Sequence, residues 1–443
     1  MTATTNDQVL GTYIATAATR EIPPDVFEAA RLCLTDWMAV AIGAAAEPAG
    51  QIVRNTVLAW RSQGRASLVL GGTAAAPMAA LINGTLAHCL DFDDTYVESI
   101  THTSAPVWAA TLALGEEIGA TEDAMLRAFI TGFEVVTRIG HGLGQAVTSR
   151  GWHGTGVFGR LGAAASAATL LRLDAPRAIT ALALAATQTS GLTASFGTMA
   201  KPFHAGKAAM DGILAAQLAA GGFSAGAGLF SPGGGLDNTV IQDRSHQIAP
   251  IDFSGWRILN NSFKPYAACH LIHAGIDAAH ALRAEGFSPD SAQAIHAEVG
   301  PLALQMTGMA DGQPQTPLAG KFDYRYCIAL ALHGRDLSAA DFREPWHLEP
   351  DIAALAGKID VAVGPRGAFA SATLTVETAA GPRVSHVHVA KGNPGNPMDW
   401  ADMRRKFDGL VTDRLGNRAP ALFDALRDMG SGRALPAIHA TLT

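Results

Sequence analysis

Alanine occupies 85 of the 443 positions, about a fifth of the chain, and only 16% of residues are charged. Alanine loses no side-chain entropy in a helix, and its small methyl lets helix axes approach closely. A chain built this way is driven toward close-packed helices. Its length suits roughly two domains of about 150 residues and is ample for a large core. With 48% hydrophobic residues and four cysteines, it is neither disordered, collagen-like nor disulfide-framed. A net charge of -7 argues against a nucleic-acid partner.

Cys33, Cys89, Cys269 and Cys327 are far apart and lack the spacing of a zinc or redox motif, so no metal site is expected from them. Scattered thiols fit a reducing compartment. The opening run Met1 to Asp7 has no basic stretch followed by an apolar one, as a signal peptide would. The charge-free stretch Ala178 to Ala200 is long enough to span a bilayer. It is rich in Ala, Thr and Ser and broken by Gly191, so two buried helices are expected rather than a membrane segment. A cytoplasmic location is the expectation. Only seven of the 32 basic residues are lysine, so each lysine stands out.

From Asp25 to about Met210 apolar residues recur at helical spacing, as in Val26, Ala29, Ala30, Cys33 and Trp37. Beyond Lys264 the pattern changes. Helices are expected over Leu271–Glu285 and Phe322–Leu332, with a short strand over Ala294–Val299. The β-rich runs Ile359–Val363, Ala372–Glu377 and Arg383–Val389 are expected to form a small antiparallel sheet. Helix returns from Met398 to about Leu410 and over Ala419–Met429. The fold expected is therefore mainly α. Residues 1–265 plus 400–443 would make a large all-helical domain, and residues 266–399 an inserted α+β lid domain. A cleft between two such bodies is a natural place for a site.

Two motifs suggest chemistry but lack their context. Gly154-Thr155-Gly156-Val157-Phe158-Gly159 matches GxGxxG, with Asp174 about twenty residues on. The dinucleotide-binding version needs a preceding β-strand, and Gln145 to Trp152 does not read as one. Glycines that let helices pack closely explain the run equally well. Asp91-Phe92-Asp93-Asp94-Thr95 matches the DxDxT of aspartyl-phosphate phosphatases and resembles the aspartate-rich magnesium motifs of prenyl-transferring enzymes. The first needs a strand where Leu81–Leu90 reads as helix. The second needs another acidic cluster, and none precedes Lys264. An NAD-dependent or magnesium-dependent enzyme is therefore a remote alternative.

The chemistry-bearing runs are best read together: DFDDT at 91–95, Thr101-His102-Thr103-Ser104, Trp152-His153-Gly154-Thr155, Lys201-Pro202-Phe203-His204-Ala205-Gly206, and Lys264-Pro265-Tyr266-Ala267-Ala268-Cys269-His270. Each puts a titratable or cationic side chain at a loop-to-helix junction, where backbone N–H groups and the helix dipole favour an anion. Histidine suits proton transfer near neutral pH. A lone histidine in a helical chain is more often structural, and His141, His280 and His333 are read that way. Two histidines with two lysines and an aspartate suggest a pocket for a small polycarboxylate.

These runs, together with Asn393-Pro394-Gly395-Asn396-Pro397-Met398-Asp399-Trp400, resemble the MmgE/PrpD family over nearly the whole chain. That family includes 2-methylcitrate dehydratase, cis-aconitate decarboxylase and iminodisuccinate epimerase. The resemblance implies a helical domain plus an α+β lid, a homodimer, and catalysis without metal or organic cofactor. Carried over by position, it implies catalytic roles for Asp91, His102, His153, Lys201 and Tyr326, with Tyr324 a near alternative to Tyr326. It implies substrate contacts for Thr95, Lys264, Cys269 and His270. Decarboxylase-like members have a histidine five residues after the second lysine, where this chain has Cys269 and then His270. Prolines the family often carries in its HPS and HPT loops are replaced here by Thr103 and Gly154.

The expected function is that of a cofactor-free lyase acting by acid–base chemistry on a di- or tricarboxylate. Dehydration of a hydroxy-carboxylate comes first, with decarboxylase-like or epimerase-like activity as the alternative and a non-catalytic carboxylate binder more remote. Lysines would bind the carboxylates as point charges, the two histidines would move the proton, and Asp91 would orient or tune one of them.

Overall fold

The computed structural model describes residues 5–69, 71–343, 346–365 and 370–442, so Met1 to Thr4 of the opening run lie outside the described residues. The chain forms two compact units, residues 1–262 with 403–443, and residues 263–402.

The first unit is helical. Its elements are α1 (Asn6–Ala15), α2 (Pro24–Gly43), α3 (Pro48–Ala59), α4 (Ala76–Cys89), α5 (Ser104–Ile118), α6 (Glu122–Gly140), α7 (Gly144–Ser149), α8 (Gly154–Leu170), α9 (Ala175–Ala186) and α10 (Ala200–Ala220). A two-residue antiparallel pairing of β1 (Ala66–Ser67) with β2 (Thr73–Ala74) joins α3 to α4. Prolines at the first turns of α2, α3, α4 and α9 help start these helices, because proline's missing N–H costs nothing there. The core is alanine-rich: in α8, Ala163, Ala164, Ala165, Ala167 and Ala168 are all buried. Among the described residues one helix, from Pro24, is long and apolar enough to cross a membrane, and most of it is buried inside this unit. The stretch Ala178 to Ala200 is not two helices. It is the C-terminal part of α9, then a loop with one 3₁₀ turn, with α10 beginning only at Ala200.

Small residues set the helix crossings that carry the site. Gly84 of α4 faces the Cα of Gly206 in α10 so closely that a Cβ on Gly84 would come within 2.9 Å of it. A Cβ on Gly206 would strike the Leu81 carbonyl oxygen and the Thr85 hydroxyl. Gly206→Ala is therefore expected to force α4 and α10 apart and destabilise the unit by about 3 kcal/mol or more. Urea unfolding should show a lower midpoint with an unchanged slope; a wild-type midpoint would mean that the crossing relaxes freely.

In the second unit a four-stranded sheet has the order β4-β3-β5-β6, with β3 Ala294–Val299, β4 Ile359–Val363, β5 Ala372–Glu377 and β6 Arg383–Val387. The sheet is mixed rather than antiparallel. β3 is an interior strand, paired antiparallel with β5 and parallel with β4, with Ile295 opposite Ile359. The reason is the long connection between β3 and β4, which contains Tyr324–Leu332 and Pro350–Ala356 as helices and can return the chain in parallel. Ile295, Ala297 and Val299 of β3 and Ala372, Leu374 and Val376 of β5 are buried, and the helix His273–Ala284 packs against β5 and β6.

The tail returns to the first unit as helices Trp400–Leu415, Ala419–Arg427 and Ala434–Leu442. Lys406 is buried there: its Nζ donates to Asp36 Oδ1 at 2.5 Å and to the Phe92 carbonyl at 2.6 Å. Glu122, in the first turn of α6, accepts the backbone N–H groups of Gly430, Gly432 and Leu435.

Candidate active site

Four segments of the helical unit converge: the turn after α4, the start of α5, the start of α8 and the start of α10. Asp91 leaves α4 with φ +53, a left-handed conformation that aspartate tolerates better than most residues. Its carboxylate is ion-paired with Lys201 of α10, and both are almost fully buried. Lys201 Nζ also sits 5.2 Å from the Phe196 ring centroid. Asp91 Oδ1 lies 4.0 Å from His102 Nε2.

His102 reaches the cluster from just before α5, its backbone N–H donating to Thr155 Oγ1 at 3.1 Å. Its Nδ1 lies 3.3 Å from Asp93 Oδ2 and 3.5 Å from Thr95 Oγ1. His153 caps the start of α8 and its N–H donates to the Gly191 carbonyl. Its ring is edge-on to Phe196 at 4.9 Å, and its Nδ1 is 3.1 Å from His204 Nδ1. His88, one turn before Asp91 on α4, fills the centre. Its ring lies 4.5 Å from that of His102 and stacks 5.6 Å from that of His153. Its Nδ1 bonds the Asp93 carboxylate at 2.8 Å.

Burial dominates the electrostatics. It lowers His88 to about 4, and it pushes His153 well below the ordinary range, with His88, Lys201 and His102 adding to the effect. These two rings are neutral at physiological pH. Burial alone would raise Asp93, but His102 and His88 around it hold its carboxyl well below the usual range. The cluster thus contains neutral imidazoles able to give or take a proton, and one ion-paired ammonium able to attract an anion. His88, Asp91 and His102 bring ligand-type atoms within 4.8 Å of one another. Because Asp91 already carries the Lys201 ammonium, a metal cation there would have to displace a like charge.

Beneath the site, Asp94 accepts from Ser104 Oγ and Asn261 Nδ2, both at 2.5 Å. Burial, and then the nearby Asp36 charge, raises Asp94 to about 7. A carboxyl raised in the folded state stabilises the fold fully below its unfolded value, near 4, and this contribution is lost as pH rises through about 7. Wild-type stability is therefore expected to fall across that window, by on the order of 4 kcal/mol from this group. Asp94→Asn should flatten the decline in melts run from pH 5 to 8, and an unchanged slope would remove Asp94 as its source.

Of the expected site residues, Asp91, Thr95, His102, His153 and Lys201 are brought together in this unit. Lys264, Cys269, His270 and Tyr326 belong to the second unit. There Lys264 and His270 are buried, and the Cys269 N–H donates to the Lys321 carbonyl. Tyr326 packs near Phe342 and Trp346 and borders a cavity of about 300 Å³ with Arg335 and Arg343. Tyr324 is fully buried against Gly275, a packing position.

Asp91 is directed mainly at Lys201; the carboxylate at Nδ1 of His102 belongs to Asp93. Asp93, His88 and His204 are given no role by the sequence reading, although Asp93 lies in the DFDDT run. His204 was visible inside the KPFHAG run, and His88 was one turn ahead of Asp91, which a helical reading of α4 could have flagged.

The phosphatase and nucleotide readings do not survive. α4, not a strand, precedes Asp91, and α7 lies ahead of the GxGxxG run. A Cβ on Gly154, Gly156 or Gly159 would meet the Ile100 carbonyl, the Ser190 carbonyl and Pro106, each within 2.6 Å. Asp174 spends its carboxylate capping α9.

Fold and site together define a mainly helical protein with a buried acid–base cluster built on one ion-paired lysine. Residues 8–249 match the MmgE/PrpD N-terminal domain and residues 266–426 the MmgE/PrpD C-terminal domain, so the chain belongs to the MmgE/PrpD family. It is 27% identical over 360 residues to a protein named cis-aconitate decarboxylase from Aspergillus terreus, covering 75% of this chain and 72% of that one. A mouse protein of the same name is 26% identical over 344 residues, covering 74% and 70%. A human one is 37% identical over 146 residues, or 32% of this chain and 30% of the relative.

Proposed function

We propose that this chain is a lyase for a small polycarboxylate, working by acid–base chemistry without a cofactor. The observation that carries the reading is the buried cluster of His88, His102 and His153 beside the Lys201–Asp91 pair. The first-ranked reaction is decarboxylation of a cis-aconitate-type acid, because the relatives that cover most of the chain carry that name. Loss of CO₂ leaves charge on carbon that a neighbouring carboxylate must share and a proton must quench. Lys201 holds a carboxylate and stabilises that charge; His102 and His153 are the proton-transfer pair. Asp91 holds Lys201 and faces His102, and Thr95 hydrogen-bonds substrate. Lys264 and Tyr326, with Cys269 or His270, complete the substrate contacts by family likeness. Dehydration of a hydroxy acid such as 2-methylcitrate is the second reading, favoured by the cysteine at position 269, where decarboxylase-like members have histidine.

We also propose a homodimer acting in the cytoplasm. Support for association comes from α10, which exposes Phe203, Leu214 and Leu218 on its surface. Solitary exposed apolar residues are ordinary, but a stripe on one helix suits a partner surface.

Proton NMR of the purified protein in D₂O with cis-aconitate, 2-methylcitrate, citrate and iminodisuccinate, with and without EDTA, tests the reading. Loss of CO₂ or of water from one of them, unaffected by EDTA, is expected. Activity abolished by EDTA would overturn the cofactor-free mechanism, and inertness toward all four acids would overturn the substrate class.

A further inference from the structure

The site contains two carboxylates near its histidines, and they are not equivalent. Asp91 is engaged by Lys201. Asp93 is fully buried, chelated by His88 Nδ1 at 2.8 and 3.0 Å, with His102 Nδ1 3.3 Å from the same Oδ2. No lysine or arginine is ion-paired with Asp93 among the described residues. An ionised carboxylate only accepts hydrogen bonds, so the nitrogen facing it on each ring must be the one that carries hydrogen.

We propose that Asp93 is the positioning residue of this site, holding both His88 and His102 in the tautomer with hydrogen on Nδ1. The inference rests on the acid–base reading above and deepens it. With Nδ1 protonated, His102 presents a bare Nε2 on the side of Asp91 and Lys201, making it the proton acceptor of the pair. When it takes a proton there, the developing imidazolium is stabilised by Asp93 at its back. The same constraint leaves His88 Nε2 a buried acceptor, and that atom has no hydrogen-bond partner among the described residues. A hydroxyl or protonated carboxyl of the substrate is the kind of group that would satisfy it. Among the described residues no carboxylate is ion-paired with His153; its Nδ1 meets His204 instead. The two proton-transfer histidines are thus differently supported, one by a charge and one by a neutral ring, which suits one to act as base and the other as acid.

The test uses the full-length protein labelled with ¹⁵N-histidine, in which long-range ¹H–¹⁵N correlation shows the nitrogen that bears hydrogen. Expected are Nδ1–H forms for His88 and His102, assigned by His88→Gln and His102→Gln, and loss of that pattern in Asp93→Asn. Turnover of Asp93→Asn should fall roughly 10²-fold or more, with KM changing less than kcat, since the substrate-binding lysines are untouched and only the His88 contact is weakened. Asp93→Glu should recover part of the turnover. A His102 protonated only on Nε2, or an Asp93→Asn protein with wild-type turnover, would overturn the proposal. The tautomer measurement needs no substrate and no Asp93 variant, only the wild-type spectrum and its two histidine assignments. It therefore decides the role of Asp93 even if the variant does not fold or none of the candidate acids is turned over.

Discussion

Lys201→Ala is expected to lower kcat/KM for the physiological acid by at least about a hundredfold, and His153→Ala to lower turnover by a similar factor. The two losses differ in origin. His153 is neutral, its N–H and ring contacts involve Gly191, Phe196 and His204, and its removal deletes a proton-transfer group while leaving no charge stranded. The His153→Ala fold should therefore melt close to wild type. Lys201 also neutralises Asp91, which is only 4% exposed. Its removal leaves a buried carboxylate without its ammonium, so Lys201→Ala should lose stability as well as activity. Adding Asp91→Asn to Lys201→Ala separates the two effects, because it should restore the melting temperature while turnover stays low. Steady-state kinetics with melts on the three variants measure this. Near-wild-type turnover in either single variant would remove that residue from the mechanism.

The largest effect on stability is expected at a residue far in sequence from the histidine cluster. Lys406→Met removes the cation from a pair in which neither side chain is more than 2% exposed. It strips Asp36 of the cation that offsets its burial, beside Asp93 and Asp94, and takes the donor away from the Phe92 carbonyl. Breaking a buried pair from one side costs about 3–5 kcal/mol, whereas replacing both partners by uncharged groups costs much less. Chemical denaturation of Lys406→Met and of the Asp36→Asn, Lys406→Met double variant should show this contrast. Equal losses in both would mean that packing around Lys406, and not the charge, holds the tail. Because Phe92 lies between Asp91 and Asp93, the single variant should also lose turnover.

Much of this architecture was legible because it depends on local pattern. Alanine-rich helical spacing from Asp25 onward gives real helices, and the runs containing His102, His153 and Lys201 meet in space because each begins a helix of one bundle. What was not legible depends on partners distant in sequence. The parallel pairing of Ile295 with Ile359 follows from a connection of some sixty residues, and alternation within β3 cannot reveal it. The loop between α9 and α10 was hidden by its apolar composition. In the DFDDT run, three aspartates of identical type face different partners: Lys201 for Asp91, His88 and His102 for Asp93, and Ser104 with Asn261 for Asp94. Residue type cannot distinguish them, since the distinction arises only when α4, α5 and α10 are assembled.

The anchoring of Phe92 by Lys406 also has a consequence for synthesis. Domains generally fold as units while the ribosome extends the chain. Here residues 263–402 are translated before Lys406 exists, so the second unit can mature first, while the earlier helical segments wait with Asp36 uncompensated. A nascent chain arrested after His204 but before position 406 carries every histidine of the cluster yet lacks the cation that clamps the Asp91–Asp93 turn. The cluster's activity should thus appear late and abruptly during translation, only after the returning helix has emerged from the exit tunnel.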